Sequence, residues 1–122
     1  MGPSEAVATY GAAWAETDEA ARRKLLEQAW SEVGTYLDPM GRADGREALV
    51  AHIGGFHQMM PGHRIESTSG VDEHDSYFRF AWRMLDPDGA VAMEGVDFGA
   101  LDGDGKIASI VGFFGPWPEL KE

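Results

Sequence analysis

At 122 residues and 13.3 kDa the chain is long enough for one domain, residues 1–122, with a single core that its 43% hydrophobic content, four Trp and six Phe can fill. The absence of Cys excludes disulfides, zinc-thiolate sites and thiol nucleophiles. A formal net charge of -11 repels phosphate backbones and anionic lipid surfaces, so neither nucleic acid nor a membrane is an expected partner.

The opening residues, Met1 to Tyr10, lack the basic and apolar regions of a signal peptide, and no apolar run approaches the roughly 20 residues of a bilayer span, so a cytoplasmic protein is expected. Ser4 is placed to cap a first helix, whose buried stripe is Val7, Tyr10, Gly11 and Trp14. Thr17 opens a second helix with Asp18 and Glu19 in its first turn. Leu25, Leu26, Ala29, Trp30 and Val33 form its apolar face, and Gly34 is placed to end it. Arg22, Arg23 and Lys24 lie among acids on that helix and read as a solvated face. The segment Thr35 to Pro39 favours β structure, and Pro39 pushes Asp38 into an extended conformation at a strand end or loop. Asp44 and Glu47 have capping-box spacing for a third helix carrying Leu49, Val50, Ile53, Phe56, His57 and Met60, which Pro61 stops.

The period then changes to that of strands, over 63–69, 76–85, 90–101 and 106–115. Asp86-Pro87-Asp88-Gly89 and Asp102-Gly103-Asp104-Gly105 are hairpin turns, which make the last three strands an antiparallel meander. Phe78, Phe80, Trp82 and Met84 alternate with Tyr77, Arg79, Ala81 and Arg83, giving one aromatic face. Ile107 and Val111 are expected on one side of the last strand and Ile110 and Phe114 on the other, a sheet apolar on both faces. Helices on one face and a second copy on the other would cover it, so a homodimer through the sheet is expected.

Three polar residues, Tyr10, Asp38 and Asp97, stand in apolar stretches whose periodicity points them inward. Burying them costs several kcal/mol unless they find partners, so convergence on one cavity would make a site where protons move. Asp97, between Val96 and Phe98, is expected to be kept neutral by desolvation, whereas Asp38 near a loop stays solvated and ionised. That division suits abstraction of a proton α to a carbonyl, with Asp38 as base and Asp97 and Tyr10 donating to the oxyanion. Each residue also has a structural reading: Tyr10 as a core residue, Asp38 as a turn residue, Asp97 as the partner of Arg46, Arg64 or a backbone amide. His52 and His57 fall on different flanks of the third helix, and no metal is expected.

Helices followed by a curved antiparallel sheet make an α+β domain with a conical cavity. The segments Tyr10-Gly-Ala-Ala-Trp14, Tyr36-Leu-Asp-Pro39, Gly45-Arg-Glu-Ala48, Pro61-Gly-His63, Phe80-Ala-Trp82, Gly95-Val-Asp-Phe98 and Gly112-Phe-Phe-Gly115, in this order, resemble the SnoaL-like branch of the NTF2-like superfamily. The resemblance implies a cystatin-like α+β roll, with three N-terminal helices packed on the curved sheet. Within it, Tyr10, Asp38 before Pro39, and Asp97 before Gly103-Asp-Gly-Lys106 are similar to the pattern of ketosteroid isomerase. In that enzyme the first Asp shuttles a proton while the Tyr and a neutral second Asp hold the dienolate oxygen. SnoaL-like polyketide cyclases use a carboxylate in the same way for an aldol closure, so the resemblance leaves isomerase and cyclase chemistry open. The implied ligand is a small apolar carbonyl or aromatic compound, with no cofactor. Its walls would be Trp14, Trp30, Tyr36, Phe56, Met60, Phe80, Trp82, Met93, Ile110 and Phe114. A non-catalytic ligand-binding module and a protein-interaction domain are the alternatives, since fold does not imply function.

Overall fold

The computed structural model describes residues 2–121. Helix α1 (Pro3–Ala15) opens with a proline, whose missing N–H costs nothing in a first turn; its N-cap is Gly2 rather than Ser4, which lies inside the helix. Helix α2 (Glu19–Ala29) is capped by Asp18, one residue after the expected Thr17, with the carboxylate accepting from the Ala21 N–H at 2.9 Å. It ends at Ala29 instead of Gly34, because strand β1 (Trp30–Asp38) begins at once. The aromatic and β-branched residues from Trp30 onward favour extended backbone. The Arg46 guanidinium donates to the Trp30 carbonyl at 2.8 and 3.0 Å and holds that start in place. Val33 is therefore an exposed strand residue and not part of a helix face.

Strand β2 (Gly41–Asp44) folds back on β1 and leads into α3 (Arg46–Met59), which is capped by Gly45 at a φ of 95°. The Asp44–Glu47 capping box does not form. Asp44 pairs with Arg42 at 3.1 Å, and Glu47 reaches across to Arg23 on α2 at 2.9 Å. Arg22 departs further from the solvated face expected of it. It is buried beneath α3 and donates to the carbonyls of Val50, Glu16 and Thr17, which ties the α1–α2 turn to α3. Backbone acceptors make this burial tolerable for a cation.

Strands β3 (Arg64–Ser67), β4 (Asp72–His74), β5 (Tyr77–Leu85), β6 (Val91–Leu101) and β7 (Ile107–Phe114) complete one sheet, ordered β2-β1-β7-β6-β5-β3, with β4 also on β5. The expected meander β5-β6-β7 is present, but β1 runs parallel to β7, so the sheet is mixed and not wholly antiparallel. Asp86 and Asp102 turn the two hairpins by accepting backbone N–H groups, with Gly89 and Gly105 at positive φ.

Phe78, Phe80, Trp82 and Met84 face the helices and are buried. They fit because β6 carries Gly95 and Gly99 opposite them: a Cβ at Gly95 would collide with the Trp82 ring, and one at Gly99 with the Phe78 ring. An irregularity between Ala100 and Leu101 shifts the β6–β7 register, and Ile107 is fully buried like Ile110, not on the opposite side from it. The outer face bears Leu37, Phe98 and Phe113, all exposed. No helix among the described residues is long and apolar enough to cross a membrane.

Candidate functional site

Between the helices and the inner face of the sheet lies a cavity of about 660 Å³ that takes in Tyr10, Asp38 and Asp97. Register explains the meeting. Asp97 on β6 pairs with Gly112 on β7, and Asp38 stands one step beyond the Leu37–Val111 pair of β1 and β7, so the two carboxylates flank Gly112 in one row across three strands. A Cβ on Gly112 would stand 2.9 Å from Asp97 Oδ1 and 3.4 Å from the Asp38 Cβ. Glycine at this point leaves the gap between the two acids open.

The acids sit in different surroundings. Asp38 Oδ1 accepts from the backbone N–H groups of Met40 and Gly41 at 2.7 and 2.9 Å, and Oδ2 accepts from the Tyr36 hydroxyl at 2.6 Å. Its side chain is only 9% exposed, so these protein donors, and not the water expected near a loop, solvate it. The Asp-Pro turn therefore acts as a small anion cradle. Asp97 is 6% exposed and pairs with neither Arg46 nor Arg64; its Oδ1 accepts from the Trp82 indole N–H at 3.0 Å. Trp82 reaches it by lying over Gly95. Desolvation raises the Asp97 carboxyl to about 7, against a partial lowering by the Trp82 bond and with a further rise from Asp38. When protonated, Asp97 keeps Oδ1 as the acceptor of the indole and carries its proton on Oδ2.

Tyr10 stacks on Trp30 at 5.6 Å and meets Trp14 edge-on. Burial pushes its phenol well above the usual range, and the charge of Asp97 adds to the rise, so it remains a donor. Tyr10 borders the cavity, and the neighbouring Trp14 side chain partly offsets the rise as a donor toward the phenol oxygen, which leaves the O–H to donate. Tyr36 is likewise held protonated, first by burial and then by its bond to Asp38.

Of the expected walls, Trp14, Phe56 and Met60 line the cavity from α1 and the α3 end, and Tyr36, Phe80, Trp82, Met93 and Phe114 from the sheet. Trp30 and Ile110 do not: both are fully buried, Trp30 stacked on Tyr10 and Ile110 packed over Gly99 beside Phe78. Tyr36 was expected only as a wall and is also a donor to Asp38. Met40, Met59 and Met84 join Met60 and Met93, so every methionine beyond Met1 faces this one cavity. Sequence reasoning weighed His52 only as a metal ligand, whereas it lines the cavity beside Asp38. Its signal was available: His52, Phe56 and Met59 recur at spacings of four and three along α3, a second stripe beside the core stripe of Leu49, Val50 and Ile53. His57 points elsewhere, with Nε2 2.8 Å from the Trp14 carbonyl, and His63 and His74 are outside the cavity. No cluster of three or more metal-ligating side chains occurs among the described residues.

No family model and no curated protein matches the chain. Among solved structures it is similar to a candidate isomerase of the SnoaL-like family from Agrobacterium tumefaciens, at 37% identity over 92% of this chain and 96% of that one, with a TM-score of 0.88. It shares the fold of an NTF2-like protein from Exiguobacterium sp. 255-15, at 20% identity, 90% and 98% coverage and a TM-score of 0.72. A candidate SnoaL-like polyketide cyclase from Jannaschia sp. CCS1 has the same fold, at 15% identity, 93% and 89% coverage and a TM-score of 0.67. Three helices on a curved sheet around a cavity, together with the first of these identities over nearly the whole length, establish that the chain belongs to the SnoaL-like family of NTF2-like proteins.

Proposed function

We propose that the protein catalyses cofactor-independent proton transfer, of the isomerase or cyclase type, on a small, largely apolar carbonyl compound bound in this cavity. The observation that carries the reading is the pair of carboxylates flanking Gly112, one cradled by three donors and the other desolvated and raised to about 7. Pairs of acids pushed apart by their environments divide acid and base roles. In this reading Asp38 takes a proton from the carbon next to the carbonyl, and the C–H electrons pass into the enolate. Tyr10 and neutral Asp97 donate hydrogen bonds to the enolate oxygen. The proton then returns to another carbon in an isomerisation, or to the new alkoxide in an aldol closure.

The test uses planar phenols and naphthols as enolate mimics, followed by absorbance, and the isomerisation of cyclohex-3-en-1-one to its conjugated isomer. Wild type should bind 2-naphthol and shift it toward naphtholate, with weaker binding in Asp97→Asn. Asp38→Asn should lower the isomerisation rate by about 10²- to 10⁴-fold, the usual worth of a positioned base. Wild-type rates in Asp38→Asn would remove the base assignment. A second reading, a binding site without chemistry, draws on the satisfaction of both acids within the protein, by Tyr36 and Trp82. Tight naphthol retention with no turnover, and a Kd unchanged in Asp38→Asn, would favour it.

A further inference from the structure

Two titratable side chains approach Asp38 Oδ2: the Tyr36 hydroxyl, which donates to it at 2.6 Å, and His52, whose Nε2 lies 3.9 Å away. Oδ1 is occupied by the Met40 and Gly41 N–H groups, so an abstracted proton resides on Oδ2. It cannot leave through Tyr36, which is held protonated by burial and by the Asp38 bond itself. His52 is differently built. Its ring sits 5.1 Å from that of Tyr36 and edge-on to Trp14 at 6.1 Å, and its Cε1 would be 3.1 Å from a Cβ at Gly41, so glycine in the Asp38 turn makes room for it. Among the described residues neither ring nitrogen of His52 makes a hydrogen bond, and Nε2 has Asp38 Oδ2 as its charged neighbour at 3.9 Å. The side chain is 25% exposed where Asp38 is 9% exposed.

We infer that His52 is the proton outlet of Asp38, exchanging the abstracted proton between the carboxyl group and water at the cavity mouth. The step is a proton transfer without redox change. The Oδ2–H bond of the Asp38 carboxylic acid breaks, an N–H bond forms at Nε2, and the imidazolium exchanges its ring protons with water. Return transfer places a solvent proton on Asp38, which delivers it to carbon. A gap of 3.9 Å is closed by a small ring movement or by one bridging water. The inference rests on the proton-transfer reading above. It adds a consequence that reading does not have, namely that product carries hydrogen from solvent and not only the hydrogen removed from substrate.

The experiment is the isomerisation of cyclohex-3-en-1-one in D₂O, with product formation read by absorbance and deuterium per product by mass spectrometry. Wild type should incorporate solvent deuterium. In His52→Gln the deuterium per product should fall severalfold, because protium now returns internally from Asp38. In His52→Ala it should fall likewise and be restored by added imidazole, a rescue that a merely structural role would not give. Deuterium per product unchanged in both variants, or product from wild type that retains its protium, overturns the His52 assignment while leaving the base assignment standing. Absence of isomerisation by wild type overturns the base reading and this inference together.

Discussion

At the scale of single residues, Asp97 carries opposite demands. Its folded value of about 7 lies above its ordinary 3.8, so the folded state holds an extra proton between those values. Stability accordingly declines as pH rises through that window and levels off above it. Asparagine keeps an oxygen for the Trp82 indole and has no charge to desolvate. Asp97→Asn should therefore melt higher than wild type at pH 8, by roughly 1–4 kcal/mol of stability, with the gain shrinking toward pH 4. Thermal melts across that range check it; a variant less stable than wild type at pH 8 would show that Asp97 is held by pairing and not strained by burial. The same proton sets activity, because only neutral Asp97 donates to an oxyanion. The rate of enone isomerisation should fall as pH rises through about 7.

At the scale of elements, the site depends on where the strands place glycine. Gly112 on β7 lies between the carboxylates, and an added Cβ at 2.9 Å from Asp97 Oδ1 meets an oxygen that is itself tied to Trp82. Gly112→Ala should cost about 1–3 kcal/mol, as overpacked cores do, and should abolish 2-naphthol binding by displacing Asp97. Gly11 on α1 is the contrast, since it also borders the cavity but a Cβ there meets nothing within 4 Å. Gly11→Ala should stabilise by about 0.5–1 kcal/mol through helix propensity and leave the fold intact. Chemical denaturation of both variants, with naphthol titration, separates a glycine kept for space from one that is not. The strand pattern of β5 and the turns after it were legible because period-two alternation and Asp-Gly turns are local signals. The break between α2 and β1 at Trp30 was not, because Leu25, Leu26, Ala29, Trp30 and Val33 keep a helical spacing straight across it, and it is Arg46, sixteen residues on, that fastens the carbonyl of Trp30.

At the scale of the whole molecule, the outer face of the sheet is the surface without a partner. Phe113, Phe98 and Leu37, at 62%, 47% and 42% exposure, lie on the three neighbouring strands β7, β6 and β1, a concentration of large apolar groups that a monomer rarely leaves in water. A second copy seated on this face is the expected occupant, as apolar patterning on both sides of the last strands implies. Sedimentation equilibrium should give twice the chain mass, and Phe113→Glu with Phe98→Glu should give the monomer. A monomeric wild type would refute the dimer while leaving the cavity, which lies on the opposite face, untouched.

The sequence by itself determined the α+β class, the inward aromatic face of β5, the hairpins, and the three polar residues that break apolar stretches. Each of these follows from side-chain period, turn chemistry or the cost of burying charge, which act over a few residues. Tertiary structure decided what those residues touch. Asp97 found Trp82 in place of an arginine because Gly95 lets an indole lie across the strand. Asp38 is cradled because the turn folds Met40 and Gly41 back onto it, and Arg22 became a buried clamp because the carbonyls of two other segments converge there. Trp30 and Ile110 left the cavity wall because Tyr10 stacks over the one and the other packs over Gly99, contacts set across elements and not by spacing along one. His52 joined Asp38 for the same reason: residues fourteen apart in sequence meet only when α3 is laid over the β1–β2 turn.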